Sequence, residues 1–169
     1  MEYITVPLNS SYKKKDFKCG KELLDNYIHN QAQQDIKRNL SACFIIADEE
    51  NNVKGYYTLS NAGIPRELLP DYIKNKLPES YSNLPATLLG RLAVDKSIAG
   101  KGYGELLLMD ALKRSYFTSI GSIASIAVIV DPIDQDAIRF CEKYDFILLP
   151  DSGKMFLPMK TMSGLFGKE

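Results

Sequence analysis

The sequence predicts an α+β domain built on a mixed, mainly antiparallel sheet flanked by helices. Three observations carry that expectation. Residues 42–48 and 53–61 are two extended segments separated only by the turn-forming run Glu49-Glu50-Asn51-Asn52, the pattern of an antiparallel hairpin. Residues 86–95 are strongly apolar and lead through a glycine-rich turn into a helix with an apolar stripe. A further apolar run is followed by a capped helix and two more short strands.

Each element follows from local chemistry. Tyr3, Ile4, Thr5 and Val6 are aromatic or β-branched and predict a first strand. Lys13, Lys14 and Lys15 make a basic loop. Residues 20–39 read as one helix with Leu24, Tyr27, Ile28, Gln31 and Ile36 on a shared face. Residues 65–85 carry Pro65, Pro70, Pro78 and Pro85, which restricts them to loops and short helical turns, a suitable lip for a substrate. Residues 105–117 form a helix whose stripe is Leu108, Met109, Leu112 and Tyr116. Residues 122–130 read as a buried strand, ended by Asp131-Pro132. Asp134 then caps a helix running to Tyr144, with Ala137, Ile138, Cys141 and Tyr144 inward. Residues 146–149 and 155–159 are strands joined by Asp151-Ser152-Gly153.

Composition narrows the class. A length of 169 residues suits a single domain over residues 1–169 with its own core. Acidic and basic residues balance at 21 each, so no overall field draws in a polyanion, although a local basic patch stays open. Cys19, Cys43 and Cys141 are widely spaced and odd in number, which fits neither a disulfide framework nor a zinc site. A reduced, cytoplasmic setting is expected, and no metal. The N-terminal residues lack the pattern of a secretory signal, and no apolar run reaches the roughly 20 residues that cross a bilayer, so no membrane partner is expected.

The chemistry gathers at Leu92-Ala93-Val94-Asp95 and the following Ala99-Gly100-Lys101-Gly102-Tyr103-Gly104. Backbone N–H groups at a helix start converge on one point and suit a phosphate. Glycine at 100, 102 and 104 lets a pyrophosphate approach the main chain, and Lys101 adds charge or points to solvent. No Gly-Lys-Ser/Thr closes the turn, so it is not a Walker motif. Its mid-chain place after antiparallel strands does not suit a dinucleotide fingerprint.

Leu88-Leu89-Gly90-Arg91-Leu92-Ala93-Val94-Asp95, the glycine turn, the helix after it, and Asp134-x-x-Ala137-x-x-Phe140 together resemble the GNAT acetyltransferases. Phe17-x-Cys19-Gly20-x-x-x-Leu24-Asp25-x-Tyr27-Ile28, with Gly55-Tyr56-Tyr57-Thr58-Leu59-Ser60, resembles the branch that includes toxins acetylating aminoacyl-tRNA and silenced by ribbon-helix-helix antitoxins. The resemblance implies the GNAT fold and acetyl-coenzyme A as co-substrate. It implies that Leu92, Ala93 and Val94 lie beside the pantetheine arm, that Gly100, Lys101, Gly102, Tyr103 and Gly104 cradle the pyrophosphate, and that Phe140 packs near the coenzyme. Asp134 stands either near the pantetheine or only as a helix cap. A homodimer is compatible with the resemblance.

Two departures stand out. Ala99 occupies a position where the family usually has Gln or Arg. The family's Phe-Tyr pair is here Phe140-Cys141, so cysteine replaces the tyrosine that often protonates the departing thiolate. The reaction implied is direct attack of a neutral amine on the thioester, with the oxyanion held by a backbone N–H near Val94. Cys141 is then the acid, or Tyr144 one turn on presents its hydroxyl instead, or Cys141 simply packs on the coenzyme tail.

Other candidates are weighed against plainer roles. Arg91 points opposite to Leu92 by strand alternation and is either a paired structural arginine or reaches toward an anionic acceptor. His29 is the lone histidine and reads as a surface residue. Tyr56 and Tyr57 should face opposite sides of their strand. Lys13, Lys14, Lys15, Lys18 and Lys21 form a solvated face or a tRNA contact. Three functions follow: an N-acetyltransferase of a primary amine, its toxin form acting on aminoacyl-tRNA, and an acyl-coenzyme A-binding module with weak or no catalysis.

Overall fold

The computed structural model describes residues 2–167. In chain order the elements are β1 (Val6–Pro7), α1 (Glu22–Asn30), α2 (Ala32–Lys37), β2 (Ala42–Ala47), β3 (Val53–Pro65), α3 (Asp71–Lys74), β4 (Asn83–Val94), α4 (Tyr103–Gly121), β5 (Ala127–Val130), α5 (Gln135–Lys143), β6 (Ile147–Leu148), β7 (Met155–Pro158) and α6 (Met159–Phe166). The strands make one seven-stranded sheet in the order β1-β2-β3-β4-β5-β7-β6. The β1–β2, β2–β3, β5–β7 and β6–β7 pairs are antiparallel and β4–β5 is parallel. This is the mixed, mainly antiparallel α+β architecture that the sequence predicts. The chain divides into two compact units, Met1–Ser60 with Leu89–Arg114, and Asn61–Leu88 with Ser115–Glu169.

The first unit is organised by the β2–β3 hairpin. Asp48 builds its turn by accepting from the N–H of Glu50 and Asn52, and Asn51 takes the left-handed conformation at φ +65°. Phe17, Leu24, Tyr27, Ile28, Tyr56 and Ala93 share one buried cluster. The expected helix over 20–39 is two helices, because Gln31 leaves helical geometry at φ −121° and no proline or glycine announces the break. Tyr56 and Tyr57 both have no exposed surface. Tyr56 donates to the Leu24 carbonyl at 2.7 Å and Tyr57 to Asp110 at 2.8 Å, so they do face opposite sides of β3. The expected first strand over residues 3–6 shrinks to Val6–Pro7. Ile4 N–H and the Thr5 hydroxyl are drawn instead to the Asp110 carboxylate on α4, at 2.8 and 2.5 Å.

In the second unit, Thr87 and Leu88 of β4 pair with Val128 and Ile129 of β5. Ile64, Leu84, Ala127, Leu149 and Phe156 form its buried cluster. The proline-rich residues 65–85 depart from the expected loops and helical turns at both ends, where Pro65 closes β3 and Asn83, Leu84 and Pro85 open β4; between them lie a 3₁₀ turn at Arg66–Leu68 and the four-residue α3. Arg66 orders this stretch by donating to the carbonyls of Lys74, Leu77, Pro78 and Tyr81.

Several boundaries depart from expectation. The strand expected over 122–130 is only Ala127–Val130, since α4 continues to Gly121 and Ile123 is 62% exposed. The final helix α6 follows Pro158 without a side-chain cap, and the sequence gives no start signal for it. Asp134 caps α5 as expected, accepting from Ala137 N–H at 2.9 Å. The helix ends in a paired closure, Asp145 N–H to Glu142 and Phe146 N–H to Cys141, with Asp145 at φ +67°.

Candidate active site

In the first unit the site begins at the end of β4. Ala93 points into the buried cluster at 4% exposure, so alternation turns Leu92 and Val94, both half-buried, to the opposite face. All three lie past the stretch in which β4 pairs with β5.

Asp95 follows and is 6% exposed. Its carboxylate accepts from Ser97 N–H at 2.9 Å, the Ser97 hydroxyl at 2.7 Å and Lys18 N–H at 2.9 Å. Its own N–H donates to the Lys54 carbonyl, and Lys96 N–H donates to the Lys18 carbonyl. Burial alone would raise the Asp95 pKa, but those hydrogen bonds and the Lys54 charge outweigh it and hold the carboxyl below its usual range. Sequence reading missed this clamp; the signal available was an Asp placed two residues before a Ser at a strand end.

The chain then makes a 3₁₀ turn, Lys96–Ile98, and reaches the glycines. Gly100 and Gly102 adopt φ of +75° and +85°, and a Cβ on either would meet no atom within 4 Å. Both are exposed, as is Lys101. Tyr103 and Gly104, both half-buried, open α4, whose first turn is closed by Leu106 N–H on the Gly102 carbonyl at 3.2 Å. Left-handed glycines at an uncrowded helix entrance fit an anion held by main-chain N–H groups.

Arg91 lies on the Ala93 side of β4, opposite to Leu92 as expected. Its guanidinium sits 3.6 Å from the centre of the Tyr27 ring. Tyr27 donates to the buried Asp35 at 3.1 Å, and burial pushes its phenol up to about 12. His29 is a correction to the surface reading. It is half-buried, its ring nitrogen donates to the Phe17 carbonyl at 2.9 Å, and it lines a cleft of about 440 Å³ with Lys18, Gly20, Asp25 and Lys96. Of the lysine group, Lys13, Lys15, Lys18 and Lys21 are exposed and Lys14 is half-buried.

In the second unit, α5 carries the remaining candidates. Asp134 is a helix cap, so that role is filled. Phe140 is half-buried and meets Tyr144 edge to face, with ring centres 5.2 Å apart. Cys141 is 8% exposed, and burial pushes its thiol up to about 11. Tyr144 ends α5, its N–H donating to the Cys141 carbonyl. Among the described residues no helix is long and apolar enough to cross a membrane. Nor does any group of three or more His, Cys, Asp or Glu among them suit a metal ion.

Comparison with known proteins gives the family and the fold. A model of the Acetyltransferase (GNAT) family matches residues 9–146. A tRNA-acetylating toxin of Mycobacterium tuberculosis (strain ATCC 25618 / H37Rv) is 30% identical over 152 residues, which cover 89% of each chain. The solved structure of AtaT complexed with acetyl-methionyl-tRNAfMet matches with TM-score 0.88 at 26% identity, covering 98% of this chain and 99% of that one. AtaTR bound with AcCoA matches with TM-score 0.82 at 27% identity, covering 96% of both chains.

Proposed function

The chain belongs to the GNAT acetyltransferase family, and on that footing we propose that it moves the acetyl group of acetyl-coenzyme A onto the amine of an aminoacyl-tRNA. It is an N-acetyltransferase that uses acetyl-coenzyme A. The observation that carries the acceptor is the end-to-end likeness to proteins named for that substrate, 30% identity over 89% of the chain and TM-score 0.88 over 98% of it.

The coenzyme brings an activated thioester; the chain supplies position and polarity. The turn over 100–104 receives the pyrophosphate on main-chain N–H groups, with Lys101 adding charge. The open space at Gly100 and Gly102 supports that fit. Leu92, Ala93 and Val94 hold the pantetheine by backbone hydrogen bonds, and an N–H near Val94 stabilises the developing oxyanion. Asp134 fixes α5, and Phe140 packs beside the coenzyme.

Burial pushes the Cys141 thiol up to about 11, which makes it a weaker acid than an ordinary thiol of about 8.5. It is equally poor as a nucleophile, because little thiolate exists near neutrality. In this reading the thiolate leaves unassisted, Cys141 packs, and the Tyr144 ring supports Phe140.

In this reading the 169 residues act as one domain in the cytoplasm, with a ribbon-helix-helix antitoxin as the silencing partner. Labelled acetyl-coenzyme A and charged tRNA are the test. Label should appear on the aminoacyl group, and expression without antitoxin should arrest growth. Label passing only to small amines would replace the acceptor. Coenzyme bound but never consumed, across charged tRNAs and amines alike, would leave only a binding module.

A further inference from the structure

We infer that Asp95 is a positioning residue for the coenzyme: it ties the glycine turn to residues 17–20, and coenzyme affinity depends on that tie, an assignment that rests on reading residues 92–104 as the coenzyme site. In that reading Leu92, Ala93 and Val94 line the pantetheine arm and residues 100–104 meet the pyrophosphate. One ligand spans both stretches. The path of residues 95–99 therefore sets the distance and direction between the two holds, and a shift of about 1 Å in such a frame is felt strongly.

That path is decided upstream of the glycines. A Cβ on Gly100 or Gly102 would meet nothing within 4 Å, so the turn has no packing on that side to hold its course. Lys96, Ser97 and Ala99 are exposed and Ile98 is half-buried, whereas Asp95 is buried. Its two oxygens have different tasks. Oδ1 accepts from the N–H and the hydroxyl of Ser97 and shapes the 3₁₀ turn, which Ile98 N–H closes on the Asp95 carbonyl at 3.1 Å. Oδ2 accepts from Lys18 N–H, 77 positions away. An exposed turn needs only the first set of bonds. Burying the carboxylate is costly unless both oxygens are satisfied, and the Lys18 bond that satisfies the second one adds orientation against the core.

The receiving segment is itself fixed. Phe17 packs edge-on against Tyr56 with ring centres 5.5 Å apart, and Cys19 N–H is held by the Asp25 carboxylate of α1 at 2.7 Å. Lys18 gives its N–H to Asp95 and takes Lys96 N–H on its carbonyl. A Cβ on Gly20 would stand 2.8 Å from Lys96 Cε, so glycine leaves the Lys96 side chain free to lie across the segment. The run Phe17-Lys18-Cys19-Gly20 lies outside the coenzyme motif in sequence, and this contact gives it a part in coenzyme binding as the anchor of the turn.

The test is a double-mutant cycle in acetyl-coenzyme A binding, measured by calorimetry on the full chain, with a melting curve for every variant to show that it folds. Asp95→Ala should weaken binding about ten- to hundredfold. Gly102→Ala, which alters the turn directly, should weaken it as well. Because Asp95 acts through the turn, the double variant should bind within about twofold of the more affected single variant. A merely structural loss would instead multiply the two effects, and that result overturns the assignment. So does Asp95→Ala binding within about twofold of wild type. If Asp95→Ala does not fold, Asp95→Asn carries the same cycle, since it keeps one acceptor oxygen and turns an N–H donor toward Ser97 or Lys18. The two readings fail differently. Full affinity in Gly102→Ala removes the phosphate cradle, and the positioning role with it. Weakened binding in Gly102→Ala with none in the Asp95 variant removes the positioning role and leaves the cradle standing.

Discussion

The Tyr57 hydroxyl donates to Asp110 at 2.8 Å, and neither side chain has more than 5% exposure. The same carboxylate holds the N-terminal segment through Ile4 and Thr5, and the Tyr57 oxygen accepts from Arg114 at 3.0 Å. Tyr57→Phe keeps the ring and removes one donor from a buried acid, and one acceptor from a half-buried cation. Urea unfolding should show a loss of about 1.5–3 kcal/mol, with the catalytic constants unchanged. A loss below the error of the fit would mean that the network re-forms without the hydroxyl.

Gly102→Ala separates backbone conformation from ligand contact. The added methyl meets nothing in the protein, so the folding cost is that of a left-handed alanine, about 1–2 kcal/mol. Acetyl-coenzyme A affinity should fall by more than about tenfold, because the methyl enters the space read as the phosphate cradle. Stability reduced with affinity intact would move the cradle elsewhere.

Asp95 makes stability depend on pH in a stated direction. Its folded pKa lies below the unfolded value of about 3.9, so its stabilising contribution is complete above that value and is lost as pH falls through the folded value. Melting temperatures between neutral pH and about pH 3 should fall more steeply for wild type than for Asp95→Asn. Parallel curves would show that the carboxylate titrates alike in both states.

Cys141→Ala should leave kcat within about threefold of wild type, since a donor in use would cost on the order of 10²–10⁴. Tyr144→Phe, measured alongside, should behave the same way. A hundredfold drop in either identifies the proton donor and ends the view that the thiolate departs alone.

Asp145→Gly should stabilise the protein by about 0.5–1 kcal/mol, read from the melting temperature. Asp145 fills the left-handed position of the α5 closure, where glycine avoids the Cβ penalty. Asp145→Val should lower the melting temperature instead. Equal melting temperatures for all three would show that α5 ends without strain.

Legibility in the sequence tracked how local the determining physics is. The hairpin turn, the Asp134 cap and the glycine turn are written in neighbouring residues, and each stands where the pattern put it. The break at Gln31 has no proline or glycine to signal it, and the shift of the first strand is decided by a partner distant in the chain. Asp110, 106 residues from Ile4, pulls the N-terminus off the sheet edge. Apolar content alone misled at Ile123, where α4 runs on and the strand waits for Ala127. In the site, the Arg91 orientation follows from alternation, whereas the Asp95 clamp joins Lys18 across 77 positions.

Both sides of the Lys18 peptide are bracketed, its N–H by Asp95 and its carbonyl by Lys96. The approach to α1 and the approach to the glycine turn are thereby splinted at a single seam. An insertion that lengthens either one has to unpick that seam first, so the lengths of the two approaches are fixed together.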